Sequence, residues 1–180
     1  MRRFAAVLAL LGVVGCDDPP ALPEQEASGP RPTREVWNVR LTLAEEGRLR
    51  VRLAAPYMAA YEGDSTYAVL ESDSTGAPVT VTLFGAVGDT SATVTAPRIV
   101  YREAERRFEA DGPVIVTARG GRRLDAQRVM WNDAARRLDA PGPVTFASPT
   151  EQVTGRNLAA NEDLTRYALG QVTATVIVQQ

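Results

Sequence analysis

The 180-residue chain carries 20 basic residues against 22 acids, with no histidine and a single cysteine. Every basic residue is arginine, so histidine bases, Schiff-base lysines, Cys–His or Ser–His pairs and ordinary zinc sites are excluded by inventory. A net charge of −2 offers no footprint for nucleic acid, and one cysteine permits no intramolecular disulfide.

The chain opens MRRFAAVLALLGVVGC. Two arginines precede an apolar run from Phe4 to Val14, and Gly15 stands directly before Cys16, the layout of a secretory signal. The run is too short for a bilayer span, which takes about 20 apolar residues. Val13-Val14-Gly15-Cys16 resembles a bacterial lipobox, which predicts a signal peptide over residues 1–15 and lipidation of Cys16. Cleavage removes Arg2 and Arg3, leaving 18 arginines against 22 acids and a net charge of about −4. Residues 16–35 carry five prolines and few apolar side chains, the composition of a partly extended tether. At ~3.1 Å per residue that tether reaches roughly 60 Å.

From Val36 to Gln180 the composition changes to short β-rich runs, enough for one all-β domain with a core. In VTVTLF, Val79, Val81 and Leu83 take one face while Thr80 and Thr82 take the other. Ala92, Val94 and Ala96 do the same in SATVTAP; VIVTA, LDAQRVMW, VTFA and the closing VTATVIV are similar. Glycine and proline recur between the runs, which points to an antiparallel meander rather than to βαβ units. REAERR (Arg102–Arg107) has good helix propensity but sits between two strand-like segments, and it is read, like NDAARR, as a turn.

A repeat organises the second half. RIVYREAERRFEADGPVIV (Arg98–Val116) aligns without gaps on RVMWNDAARRLDAPGPVTF (Arg128–Phe146), and a weaker third copy begins at Val153. A period near thirty residues describes one unit of strand, turn, strand, Gly-Pro bend and strand. Ile99, Tyr101, Phe108, Ala110, Val114 and Val116 fall on one face of the first copy. Val129, Trp131, Leu138, Ala140, Val144 and Phe146 are their counterparts in the second. Neither unit buries its apolar face alone, so the copies must stack or curl together. Each Gly-Pro should bend its strand, because proline donates nothing to a central ladder.

No constellation for catalysis stands out, and the chain reads as a non-enzyme needing no metal or cofactor. Carboxylate pairs are the remaining acid–base option. The acids, however, lie in turn contexts (Gly63-Asp64, Asp73-Ser74, Asp111-Gly112, Asn132-Asp133) that favour solvated positions. The pairs Arg106-Arg107, Arg122-Arg123 and Arg136-Arg137 have two readings. They are turn charges facing nearby acids, or an edge that attracts lipid phosphates. Periodicity alone fits a filled β-sandwich core as well as an apolar trough.

The progression W-x3-L-x-L from Trp37, V-T-L-F (Val81–Phe84), V-T-A-P-R-I-V-Y with F-E-A-D-G-P-V (Val94–Val114), L-D-A-Q-R-V-M-W with L-D-A-P-G-P-V (Leu124–Val144) and V-T-G-R-N-L (Val153–Leu158) resembles the LptC family, within the LptA/OstA-like superfamily of lipopolysaccharide export proteins. The resemblance covers roughly residues 37–176. It implies a twisted, partly open antiparallel β-jelly roll, built here from the thirty-residue units. It also implies a periplasmic carrier that accepts lipopolysaccharide from an inner-membrane ABC transporter (LptB-, LptF- and LptG-like) and passes it to an LptA-like bridge protein. The lipid groove would be lined by Val79, Val81, Leu83, Val94, Tyr101, Phe108, Trp131, Leu138, Val144 and Phe146. The strand offered to the next protein by strand addition would carry Val172, Ala174, Val176 and Val178. Typical members have a transmembrane anchor, whereas this chain has the lipobox and tether. Asp17 after Cys16 follows the enterobacterial rule for retention at the inner membrane, with the outer membrane as the other possible site. The alternatives are an envelope β-lipoprotein with a closed core that binds only proteins, and a carboxylate-dependent hydrolase.

Overall fold

The computed structural model describes residues 30–63 and 66–176. Cys16, the tether through residue 29, Asp64 and Val178 lie outside them. The described residues form eleven strands in order: β1 (Arg34–Glu45), β2 (Arg48–Tyr61), β3 (Tyr67–Glu71), β4 (Val79–Phe84), β5 (Thr90–Ala96), β6 (Arg98–Arg102), β7 (Arg107–Ala118), β8 (Arg122–Asn132), β9 (Arg137–Ala147), β10 (Glu151–Asn161) and β11 (Tyr167–Val176). A three-residue 3-10 turn, Arg119–Gly121, joins β7 to β8.

Period-two patterning sets the inner face. Val79, Val81 and Leu83 are buried in β4 while Thr80 and Thr82 between them are half-exposed. Phe108, Ala110, Val114 and Val116 are buried in β7, and Leu138, Ala140, Val144 and Phe146 repeat the pattern in β9. REAERR and NDAARR form the expected turns. The Arg106 amide donates to the Glu103 carbonyl at 3.0 Å, and the Arg136 amide to the Asp133 carbonyl at 3.3 Å. Both arginines adopt the left-handed conformation, with φ of 49° and 51°. The third turn does the same at Leu164 (φ 55°), whose side chain is buried in the core.

All pairings are antiparallel, in the order β11-β10-β9-β8-β7-β5-β4-β2-β3-β6, with β6 returning to β7 and β1 added beside β2. The strands β2, β4, β5, β7, β6 and β3 therefore close a ring, from which β1 extends on one side and β8 to β11 on the other. Two long strands make the closure possible by serving two neighbours each. Val51–Ala54 of β2 pair with β4, and Tyr57–Tyr61 pair with β3. Arg107–Asp111 of β7 pair with β6, and Ile115–Ala118 pair with β5.

Each long strand bends midway, at the Gly-Pro where the repeat has one. The β7–β8 register slips between Asp111 and Val114, and the β8–β9 register between Ala126 and Met130. Gly112 and Gly142 supply positive φ at these bends (95° and 86°). At Gly112 there is a second demand, because a Cβ there would sit 2.5 Å from Cγ of Pro97 at the β5–β6 corner. The bends fold the strands into two layers whose inner faces meet. One layer holds β4, β5 and the halves continuous with them; the other holds β3, β6 and the remaining halves.

Candidate functional site

The ten positions expected to line a groove converge on one interior. Val79, Val81, Leu83 and Val94 come from one layer; Tyr101, Phe108, Trp131 and Leu138 come from the other, with Val144 and Phe146 beyond the β9 bend. All are buried except Tyr101, which is half-buried and stacks on Phe108 with ring centroids 4.5 Å apart. Leu53, Leu70, Ile99, Leu124 and Leu158 complete the same cluster. The layers are packed against each other: Val81, Leu83, Val94, Phe108, Val129 and Trp131 are among the residues that enclose a cavity of only about 10 Å³. The indole nitrogen of Trp131 is buried there without a hydrogen-bond partner.

The mouth opposite the bends is closed by charge. Arg106 of the first hairpin turn donates to Glu45 at 2.9 Å and also contacts Asp133 of the second turn. Arg136 of the second turn donates to Glu162 of the third, at 2.6 Å and 3.1 Å. Arg50 reaches in from the facing layer, 3.6 Å from Asp133 and 3.8 Å from Glu162, and donates to the Phe84 carbonyl at 2.6 Å. Three arginines and three carboxylates thus alternate across the gap. Arg50 owes its position to a bulge: the β1–β2 register slips between Leu43 and Ala44, leaving Arg50 as the extra residue. Bulges re-aim a side chain in this way, and consecutive Arg50 and Val51 are both buried.

The ionisation of these groups follows from their neighbours. The hydrogen bond from Arg106 holds the Glu45 carboxyl below the usual carboxylate range. Glu45 and then Asp133 raise the Arg106 guanidinium, and Glu162 raises that of Arg136. Burial pushes the Asp163 carboxyl up, but the Thr165 hydroxyl and amide together with Arg122 and Arg119 outweigh it and leave it lowered. Beside the closure, Leu43, Glu45, Arg50, Tyr101, Arg106 and Phe108 line part of a pocket of about 310 Å³.

The turn-acid reading needs a correction at Asp133, which is buried and ion-paired rather than solvated, and at Asp111, which lies within β7 and accepts from Arg128 at 2.6 Å. Asp73 fits the expectation, accepting from the amides of Thr75 (2.9 Å) and Ala77 (3.1 Å). The arginine pairs divide by position. The second residue of each pair lies on the outer strand face beside an acid two residues on: Arg107 with Glu109, Arg123 with Asp125 and Arg137 with Asp139, each at 2.6 Å. Such surface pairs contribute about 0–1 kcal/mol. Arg106 and Arg136 face the mouth, while Arg122 donates to the Arg119 carbonyl at 2.8 Å. Glu45, Arg50 and Glu162 escaped sequence reasoning because no local motif marks them. The only trace was the alignment that sets Glu103, Asp133 and Glu162 at equivalent turn positions.

β11 and β1 are the two sheet edges. Val172 is about half-exposed on β11, and Ala174 and Val176 pair through their backbones with Val153 and Glu151. Trp37 on β1 is exposed and packs on Tyr57. Among the described residues, no group of three or more histidine, cysteine or acidic side chains is arranged to hold a metal ion.

No family model matches the chain, and no curated protein is similar to it in sequence. Among solved structures it is similar to the crystal structure of LptH, the LptA-homologous periplasmic component of the conserved lipopolysaccharide transport device from Pseudomonas aeruginosa. The match has a TM-score of 0.54 at 12% identity and covers 72% of this chain and 95% of that one. At this identity the likeness concerns architecture alone: the chain shares the open β-jelly-roll fold of LptH.

Proposed function

We propose that the protein is a lipopolysaccharide carrier of the periplasm. It is anchored through Cys16 at the inner membrane, accepts lipid from an ABC transporter and hands it to an LptA-like protein. The observation that carries the reading is a continuous apolar cluster fed by both layers of an LptH-like fold, with edges at β1 and β11 among the described residues. Each buried CH₂ contributes about 0.8 kcal/mol, so exposing a twelve-carbon chain to water costs about 10 kcal/mol. An acylated lipid crosses an aqueous gap only along a continuous apolar path, and the seam between the two layers supplies one once the mouth opens. The test is a photo-crosslinker at Leu83, Phe108 or Trp131 in cells. Lipopolysaccharide adducts are expected, and their absence at all three inward positions overturns the reading.

One observation favours a second reading, an envelope β-lipoprotein with a closed core: the cavity between the layers at Leu83, Phe108 and Trp131 measures only about 10 Å³. In that case the crosslinker captures only protein, or nothing.

A further inference from the structure

The hairpin turns carry a pattern that burial of lipid does not explain. Each turn arginine reaches forward to the acid of the next turn, Arg106 to Asp133 and Arg136 to Glu162. The series stops at the third turn, where Thr165 occupies the aligned position and bonds Asp163 and Asn161 instead. Arg50, from the opposite layer, stands between the two acids. The side chains of Asp133 and Glu162 are 7% and 9% exposed, whereas those of Arg106 and Arg136 are 44% and 43% exposed. An anion arriving from water therefore meets Arg106 and Arg136 before Asp133 and Glu162, with half-exposed Glu45 beside Arg106 as the acid at the surface.

The closed ladder is also incompletely satisfied. Asp133 Oδ1 is buried with no hydrogen bond: Arg50 lies 3.6 Å from it, while Arg106 holds the other oxygen of the same carboxylate. A buried carboxylate oxygen without a donor is a costly group, and desolvation offsets most of what buried ion pairs contribute. Phosphate brings more acceptor oxygens and higher charge than a carboxylate, and arginine grips it with two parallel N–H donors. The pocket beside the ladder is lined by Glu45, Glu103 and Asp133 as well as by Arg50 and Arg106, so a phosphate seats there only as Asp133 gives up its arginines; Tyr101 and Phe108 on its wall then set the chain of that headgroup against the apolar interior.

We infer that this ladder is the headgroup site of the carrier and the latch of its mouth. A phosphate-bearing amphiphile takes Arg50, Arg106 and Arg136 in exchange for Asp133 and Glu162. The exchange parts the layers and admits the acyl chain. The inference rests on the carrier reading above.

Trp131 provides the measurement. The chain has two tryptophans, and Trp37→Phe leaves the buried one as sole reporter. In the full-length W37F chain, 11-bromoundecyl phosphate should quench Trp131 emission at a concentration about tenfold below that needed by 11-bromoundecanol, equivalent to ~1.4 kcal/mol. Adding Asp133→Asn with Glu162→Gln should let the alcohol quench about tenfold faster. Arg106→Gln with Arg136→Gln should erase the preference for phosphate. Inorganic phosphate mixed with the alcohol should not accelerate quenching, because anion and chain must be joined; acceleration overturns the headgroup assignment. Should the double acid variant fail to fold, Glu45→Gln, at a half-exposed position, should shift the alcohol in the same direction by less. Equal quenching by both probes, with the acid variants unchanged, overturns the latch and leaves the carrier standing. Absence of quenching by either probe in every folded variant removes the carrier reading and the latch with it.

Discussion

Gly112 and Gly142 occupy the same position in successive repeats, yet their surroundings differ. Both hold positive φ, but only at Gly112 would a Cβ meet Pro97; at Gly142 it meets nothing within 4 Å. Gly142→Ala should cost ~1 kcal/mol of backbone strain, and Gly112→Ala at least ~2 kcal/mol, read as urea midpoints with unchanged slope. Arg50 allows a sharper prediction. Arg50→Met leaves Asp133 and Glu162 buried beside an apolar side chain. Breaking a buried pair in that way should lower the unfolding free energy by about 3 kcal/mol in the same assay. Glu45 links the mouth to pH. Arg106 lowers its folded pKa, so its contribution is complete above the unfolded value near 4.3 and is lost as pH falls through the folded one. The urea midpoint should hold between pH 7 and 5 and fall from pH 4 to 3. Glu45→Gln should make that fall shallower without abolishing it, since Asp73 and Glu109 are lowered too.

At the scale of elements, the strands divide into ring and extension. Those of the ring have partners on both sides, whereas among the described residues β11 has only β10 and β1 has only β2. An unpaired edge is a template for another chain. Both edges present an exposed apolar side chain, Val172 on β11 and Trp37 on β1, and we propose β11 as the edge offered to the next protein. Removal of residues 172–180 should abolish capture of an LptA-like protein in a pull-down while membrane attachment stays unchanged. Retained capture would move the assignment to β1. The turns form a second class of element. Their outer arginines lie beside acids two residues away, while Arg106 and Arg136 span from one hairpin to the next.

Over the whole molecule, the strand runs, the turns at REAERR and NDAARR, the Gly-Pro bends and the common inner face are all legible in the residues alone. Each is a short-range property: alternation over six residues sets a face, and a repeat preserves it thirty residues on. The ten interior positions are legible for the same reason. Other features depend on which distant segments meet. Closure of the ring joins β3 to β6, and nothing within those two five-residue strands names the other as partner. Asp133 reads locally as a turn acid; it is buried and ion-paired between Arg106 and Arg50, the latter 83 positions earlier and aimed inward by a one-residue bulge. The sequence by itself determined the strands, their inward faces and the repeated turns, because side-chain alternation and turn chemistry act over a few residues. Only the tertiary structure decided that the interior is packed shut and that alternating charges hold its mouth. Register between remote strands, and the burial that follows from it, exists only once the two layers have come together.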